Sequence, residues 1–157
     1  METRIGFAPG AEDNDLGRWL GSSLERGLQA SAARARAFRA LRGSVAFVAP
    51  DRKLSVTLRF DHGLCSIFEG LVGTVDVTLC ADFAELSRLA QLMPASLSWS
   101  RPALREGLGQ ALPSWAWMLG SLLDGRLRIY GLLAHPRFVG RILLLLGAEG
   151  SRDAATA

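Results

Sequence analysis

The sequence predicts an α+β fold: a five-stranded, mostly antiparallel sheet covered on one face by helices, with an N-terminal helix ahead of the sheet. Three observations carry this expectation. Apolar residues recur at three- and four-residue spacing from Leu16 to Leu28, and then change to alternation in short runs between Val45 and Cys80. A strand pattern bracketed by Gly125 and Gly131 comes much later and leads into an apolar helical run. Elements in that order place helices on one face of a single sheet.

The elements follow in chain order. Residues 1–13 hold Gly6, Pro9 and Gly10 among acidic residues and read as a flexible lead-in. Asn14 or Asp15 can cap a helix whose apolar face runs through Leu16, Trp19, Leu20, Leu24 and Leu28. An alanine-rich continuation carries that helix to Phe38 and Leu41, and Gly43 stops it. Val45, Phe47 and Ala49 alternate as a first strand, and Pro50-Asp51 turns the chain. Lys53 to Phe60 and Leu64 to Glu69 form a hairpin around Asp61-His62-Gly63. Gly70 and Gly73 flank a further turn into Thr74 to Cys80, so the four strands read as an antiparallel meander.

Asp82 and Glu85 form a capping-box pattern before Phe83, Leu86, Leu89, Ala90 and Met93, a helix that ends at Pro94. The stretch from Ala95 to Leu123 contains Pro102, Pro113, Trp99, Trp115 and Trp117 and reads as two short helices, Ala103 to Leu112 and Ser114 to Leu123. Gly125 to Gly131 is the fifth strand. Pro136 to Leu146 is a final helix, apolar on most sides, which some other element must cover. One domain over 14–147 and a flexible tail over 148–157 complete the expected organisation.

Composition narrows the classes of function. Of 157 residues, 49% are hydrophobic and 21% charged, enough apolar material for a core and for the lining of a cavity. The net charge of +3 comes almost entirely from arginine, Lys53 being the only lysine, and gives little support to nucleic-acid binding. Arg34, Arg36, Arg39 and Arg42 form the one local concentration. They read as a solvated helix face, or as a surface for anionic lipid headgroups or an acidic partner. Cys65 and Cys80 sit in apolar strands without metal-ligand spacing and read as reduced core thiols. No signal peptide is expected, and the uncharged stretch from Gly107 to Leu123 is broken by proline and glycine, a poor bilayer span. A cytoplasmic location in a bacterium follows as the simplest expectation.

Two segments resemble the sterol carrier protein-2 family. Val75-Asp76-Val77-Thr78 stands where that family has a strand with a DVT-like sequence before a capped helix. Gly125-Arg126-Leu127-Arg128-Ile129-Tyr130-Gly131 is similar to its glycine-flanked basic strand, again followed by an apolar helix. The hairpin strands Leu54–Phe60 and Leu64–Glu69 extend the likeness, which covers roughly residues 44 to 146. The resemblance implies an apolar tunnel between sheet and helices that takes fatty acyl chains, sterols or similar lipids, with no catalytic residues and no cofactor. The departure is the long connection from Ala95 to Leu123, which remodels the pocket mouth, fills the pocket or presents a partner surface.

On this basis the lipid-binding candidates are Leu86, Leu89, Trp115, Leu119, Leu122, Leu123, Phe138, Ile142 and Leu146, all on elements that close over the sheet. The competing reading is that they fill a dry core. Trp115 and Trp117 suit a pocket rim, a membrane-surface contact, core packing or a homodimer interface. His62 and His135 have no ligand partners at metal spacing, and no Gly-x-Ser-x-Gly elbow or phosphate-cradling glycine loop occurs. Asp76 reads as a hydrogen-bonded carboxylate rather than a general base, although Asp76 and His135 are the groups an enzyme would use. The expected function is non-enzymatic binding or transfer of a lipid, fatty acyl or isoprenoid ligand. The alternative is an accessory factor that presents a hydrophobic intermediate to biosynthetic enzymes, for example those of ubiquinone biosynthesis.

Overall fold

The computed structural model describes residues 3–92, 118 and 120–147. Within them the chain forms strand β1 (Arg4–Phe7), helices α1 (Asp15–Ala30) and α2 (Ala32–Arg39), and strand β2 (Arg42–Ala49). A 3-10 turn (Pro50–Arg52) leads to strands β3 (Leu54–Asp61), β4 (Leu64–Glu69) and β5 (Val77–Ala81). Helix α3 (Phe83–Leu92), a helical turn over 120–123, strand β6 (Leu127–Tyr130) and helix α4 (Pro136–Leu146) follow. The class is α+β, as expected, but the described sheet has six strands in the order β1-β4-β3-β2-β5-β6.

Two features correct the expected sheet. First, β1 arises in the segment read as a flexible lead-in and pairs parallel to β4, with Ile5 opposite Cys65 and Phe7 opposite Ile67. Ile5 and Phe7 pack against the core, which gives this short edge strand its anchorage. Second, β4 and β5 are not a hairpin. Residues 70–76 carry the chain back across the sheet, so that β5 pairs parallel to β2. Gly70 and Gly73 take the left-handed φ values, +76° and +71°, that start this crossover. Thr57, buried on β3, holds it down: its Oγ1 donates to the Gly70 carbonyl at 2.8 Å and accepts from Val72 N–H at 3.0 Å. The remaining pairs, β2–β3, β3–β4 and β5–β6, are antiparallel.

The long N-terminal helix is also two helices. Ser31, with extended backbone (φ −151°, ψ 124°), separates α1 from α2. Asn14, not Asp15, caps α1, its Oδ1 accepting from Leu16 N–H at 3.1 Å and Gly17 N–H at 3.2 Å. The arginine group divides in consequence. Arg34 shares the inner face of α2 with Phe38, four residues on, and is buried, whereas Arg36, Arg39 and Arg42 are exposed.

The helices cover one face of the sheet. Val45, Phe47, Val56, Leu58, Phe60, Ile67, Val77 and Leu79 point into the core with Leu16, Leu20 and Leu24 of α1. An edge-to-face chain of Phe38, Phe60 and Phe138, with ring centroids 5.7 and 6.3 Å apart, joins α2, β3 and α4. Helix α4 is covered as its composition demands: Val139, Ile142, Leu143, Leu145 and Leu146 are all buried.

Candidate functional site

The apolar layer at the α3–α4 side of the sheet is where the sequence places a ligand. Helix α3 starts where the Asp51 carboxylate accepts a hydrogen bond from Phe83 N–H at 3.0 Å. The 3-10 turn after β2 therefore fixes the entry angle of the helix. Spacing of three puts Leu86 and Leu89 on its inner face, where they are 2% and 1% exposed. Ile142 and Leu146, four apart on α4, are 2% and 4% exposed and belong to the same buried cluster, together with Met118.

The other candidates are dispersed. Phe138 is partly buried at the first turn of α4, against the Phe60 ring and beside Gly43, where it packs the core at the far end of that helix. Leu122 is partly buried against the cluster, and Leu123 is 87% exposed. Trp115 and Leu119 lie outside the described residues, as do Trp99, Trp117 and most of the long connection from Ala95.

A concavity lies on the opposite, outer face of the sheet, where the sequence gives no expectation of one. It is a cleft of about 820 Å³ between the strands and the 70–76 crossover. Arg42, Arg59, Ser66 and Phe68 line it from the sheet, and Val72 and Thr74 from the crossover. The alternation of Ser55, Thr57, Arg59 and Asp61 with apolar residues along β3 is the sequence signal for this face. The crossover that turns it into a cleft becomes visible only once β5 is paired with β2. Asp76 stands at its rim as the hydrogen-bonded carboxylate the sequence suggests: its Oδ2 accepts from Ser44 N–H at 2.7 Å and from Ser44 Oγ at 3.0 Å.

Among the described residues the cysteines and histidines stand apart from one another. Cys65 is buried on the helix-covered face, and burial pushes its thiol up, away from the reactive thiolate. Cys80 is half-buried on the outer face, so the two free thiols stand on opposite sides of the sheet. His62 and His135 are both exposed, on separate turns. Among the described residues no group of histidine, cysteine, aspartate and glutamate side chains is arranged to hold a metal ion. No described helix is long and apolar enough to cross a membrane.

No family model and no curated protein matches the chain. Solved structures do. A UbiJ-SCP2 ubiquinone synthesis protein superposes with a TM-score of 0.52 at 20% identity, over 80% of this chain and 87% of that one. The chain has a sterol carrier protein-2-like fold. A crystal structure of sterol carrier protein 2 gives a TM-score of 0.47 at 21% identity, over 82% of this chain and 91% of that one. In this sterol carrier protein-2-like fold the two motifs that carry the sequence resemblance are neighbours. Thr78 of the first is paired with Tyr130 of the second in the β5–β6 ladder.

Proposed function

We propose that the chain binds or transfers an apolar ligand of lipid, fatty acyl or isoprenoid type, without catalysing a reaction. The observation that carries this reading is the meeting of Leu86, Leu89, Ile142 and Leu146 over the sheet of a sterol carrier protein-2-like fold. Trp115, Leu119 and Leu122 are assigned to the same pocket, Phe138 to its closed end and exposed Leu123 to its rim. Burying a hydrocarbon chain there contributes roughly 25 cal/mol per Å² of apolar surface, set against an association cost of about 4–15 kcal/mol. A long tail offsets that cost and a short one does not. Chain-length selectivity follows.

The non-enzymatic part rests on the chemistry of the side chains. The Asp76 carboxylate is engaged by Ser44, and His135 precedes α4 on an exposed turn. Among the described residues, Ser44 and Asp76 have no histidine or second carboxylate among their hydrogen-bond partners, so the serine hydroxyl has no general base of the kind a nucleophile needs. A cytoplasmic location suits the two free cysteines.

Tryptophan fluorescence tests the reading, because Trp19 packs 5.9 Å from Phe83 at the start of α3. Fatty acids and polyprenyl compounds of increasing length are expected to change the emission saturably, with affinity rising along each series. A flat response across every class overturns the proposal. The likeness to a UbiJ-SCP2 ubiquinone synthesis protein favours a second reading, an accessory factor that holds a hydrophobic intermediate for separate enzymes. Co-purification of prenyl-quinone biosynthetic enzymes supports it, and a chain that purifies alone from its host counts against it.

A further inference from the structure

Charge is divided along the strand direction. At one end of the sheet, Arg42 opens β2 and Arg59 lies near the close of β3, both exposed and both lining the outer cleft. Arg39 ends α2 and Arg137 begins α4, again exposed. Arg141 donates through Nη1 to the Ala40 carbonyl at 3.2 Å, which ties the first turns of α4 to the end of α2. His62 N–H donates to the Leu41 carbonyl at 3.3 Å, bringing the β3–β4 turn to the same place. The turn over 131–134 joins them, since a Cβ on Gly131 would lie 2.3 Å from the Asp76 carbonyl oxygen. The carboxylates described at this end are Asp61 and Asp76, and Ser44 engages the latter.

At the opposite end carboxylates outnumber cations. Glu12, Asp13 and Asp15 precede or open α1, whose cap Asn14 also donates to the Ser55 carbonyl at 3.3 Å. Glu69 closes β4, Asp51 lies in the turn between β2 and β3, and Glu85 stands in the first turn of α3. Their cationic neighbours are Arg18, paired with Asp15, Arg126, paired with Glu85, and Arg52 and Lys53 in the turn that holds Asp51. Among the described residues, the excess of cations over carboxylates thus lies at the first end.

That basic end also exposes apolar side chains. Leu133, in the turn over 131–134, is 96% exposed, and Leu64, at the start of β4, is 51% exposed. We infer that this end of the molecule is a docking face for an anionic bilayer surface, its arginines meeting headgroup phosphates and Leu133 entering the interfacial layer. Arginines spread over four elements suit a sheet of phosphates, and exposed leucines between them suit the acyl boundary beneath. A nucleic acid offers the phosphates but nothing for the leucines. The inference draws its purpose from the proposed lipid ligand, while the charge arrangement stands without it.

Flotation of the full chain with vesicles tests this face in the absence of added ligand. Vesicles of phosphatidylcholine with phosphatidylglycerol are expected to carry the protein at low salt, release it at high salt, and bind it far better than phosphatidylcholine alone. The double variant Arg39→Glu/Arg137→Glu is expected to bind at least about ten-fold more weakly, given the contribution of each basic residue near such a surface. Leu133→Ser weakens binding several-fold, and Arg18→Glu, at the acidic end, leaves it unchanged. Failure to float with anionic vesicles, equal binding to neutral ones, or full binding by the double variant overturns the inference. Capture by polyglutamate without flotation also overturns it and gives the face to an acidic protein. A chain that retains a lipid yet fails to float refutes the docking face alone and leaves the ligand reading standing.

Discussion

An alanine at Gly131 would set its Cβ 2.3 Å from the Asp76 carbonyl oxygen, on a backbone with φ of +84°. Gly125, at the other end of the same strand motif, has φ of +70°, and a methyl group added there would meet nothing within 4 Å. The two glycines look equivalent in sequence, yet they answer to different physics. Gly125→Ala bears the left-handed strain alone, about 1–2 kcal/mol. Gly131→Ala adds a clash with rigid backbone that side-chain rotation cannot relieve, and a loss of at least about 3 kcal/mol is expected. Urea unfolding of both variants measures the difference, and equal midpoints would show that the β6 turn does not press on the β4–β5 crossover. The motif reveals that both positions need glycine. Only the fold reveals that one of them also needs room.

At the scale of the element, local chemistry is legible in the sequence and long-range pairing is not. The α1 cap, the β3–β4 hairpin and the apolar character of α4 follow from residues close in sequence, whereas the start of α3 rests on Asp51, 32 residues away. Leu86, Leu89, Ile142 and Leu146 are legible because three- and four-residue spacing assigns them to one face. The exposure of Leu123 is not legible from its apolar character, since its helical turn ends within two residues and Gly125 then redirects the chain. The break at Ser31 is hidden because the alanine-rich stretch continues the helical period straight through it. Strand β1 is hidden for the opposite reason: it is short, contains Gly6, and owes its existence to β4, far away in sequence. The cap offers a direct check. Asn14→Ala removes two hydrogen bonds to α1 and one to Ser55, and is expected to cost about 1–2 kcal/mol in thermal or urea unfolding. Asp15→Ala, which removes only an exposed pair with Arg18, is expected to cost less than about 0.5 kcal/mol.

For the whole molecule, the class and the helix-covered face come from the order of the elements, whereas strand number and direction come from the crossover. A turn between Gly70 and Gly73 reads locally as a hairpin. Nothing within it says that Thr57 will hold the chain down on the outer face and send β5 to the far side of β2. The charge polarity escapes the sequence for a similar reason, because its arginines are scattered from Arg39 to Arg141 and meet only after folding. Both features bear on how a carrier would work: one face of the sheet supports the apolar layer, the other a cleft of mixed polar and apolar lining, and one end is basic. The central claim is that the layer under α3 and α4 receives a hydrocarbon chain. Native mass spectrometry of the protein, purified gently from its host, tests this most directly. The expected result is a folded species carrying one added mass that extracts into organic solvent and is identified as a lipid, fatty acyl or isoprenoid compound. A folded protein at its bare chain mass, which also takes up none of these compounds when they are supplied, would contradict it.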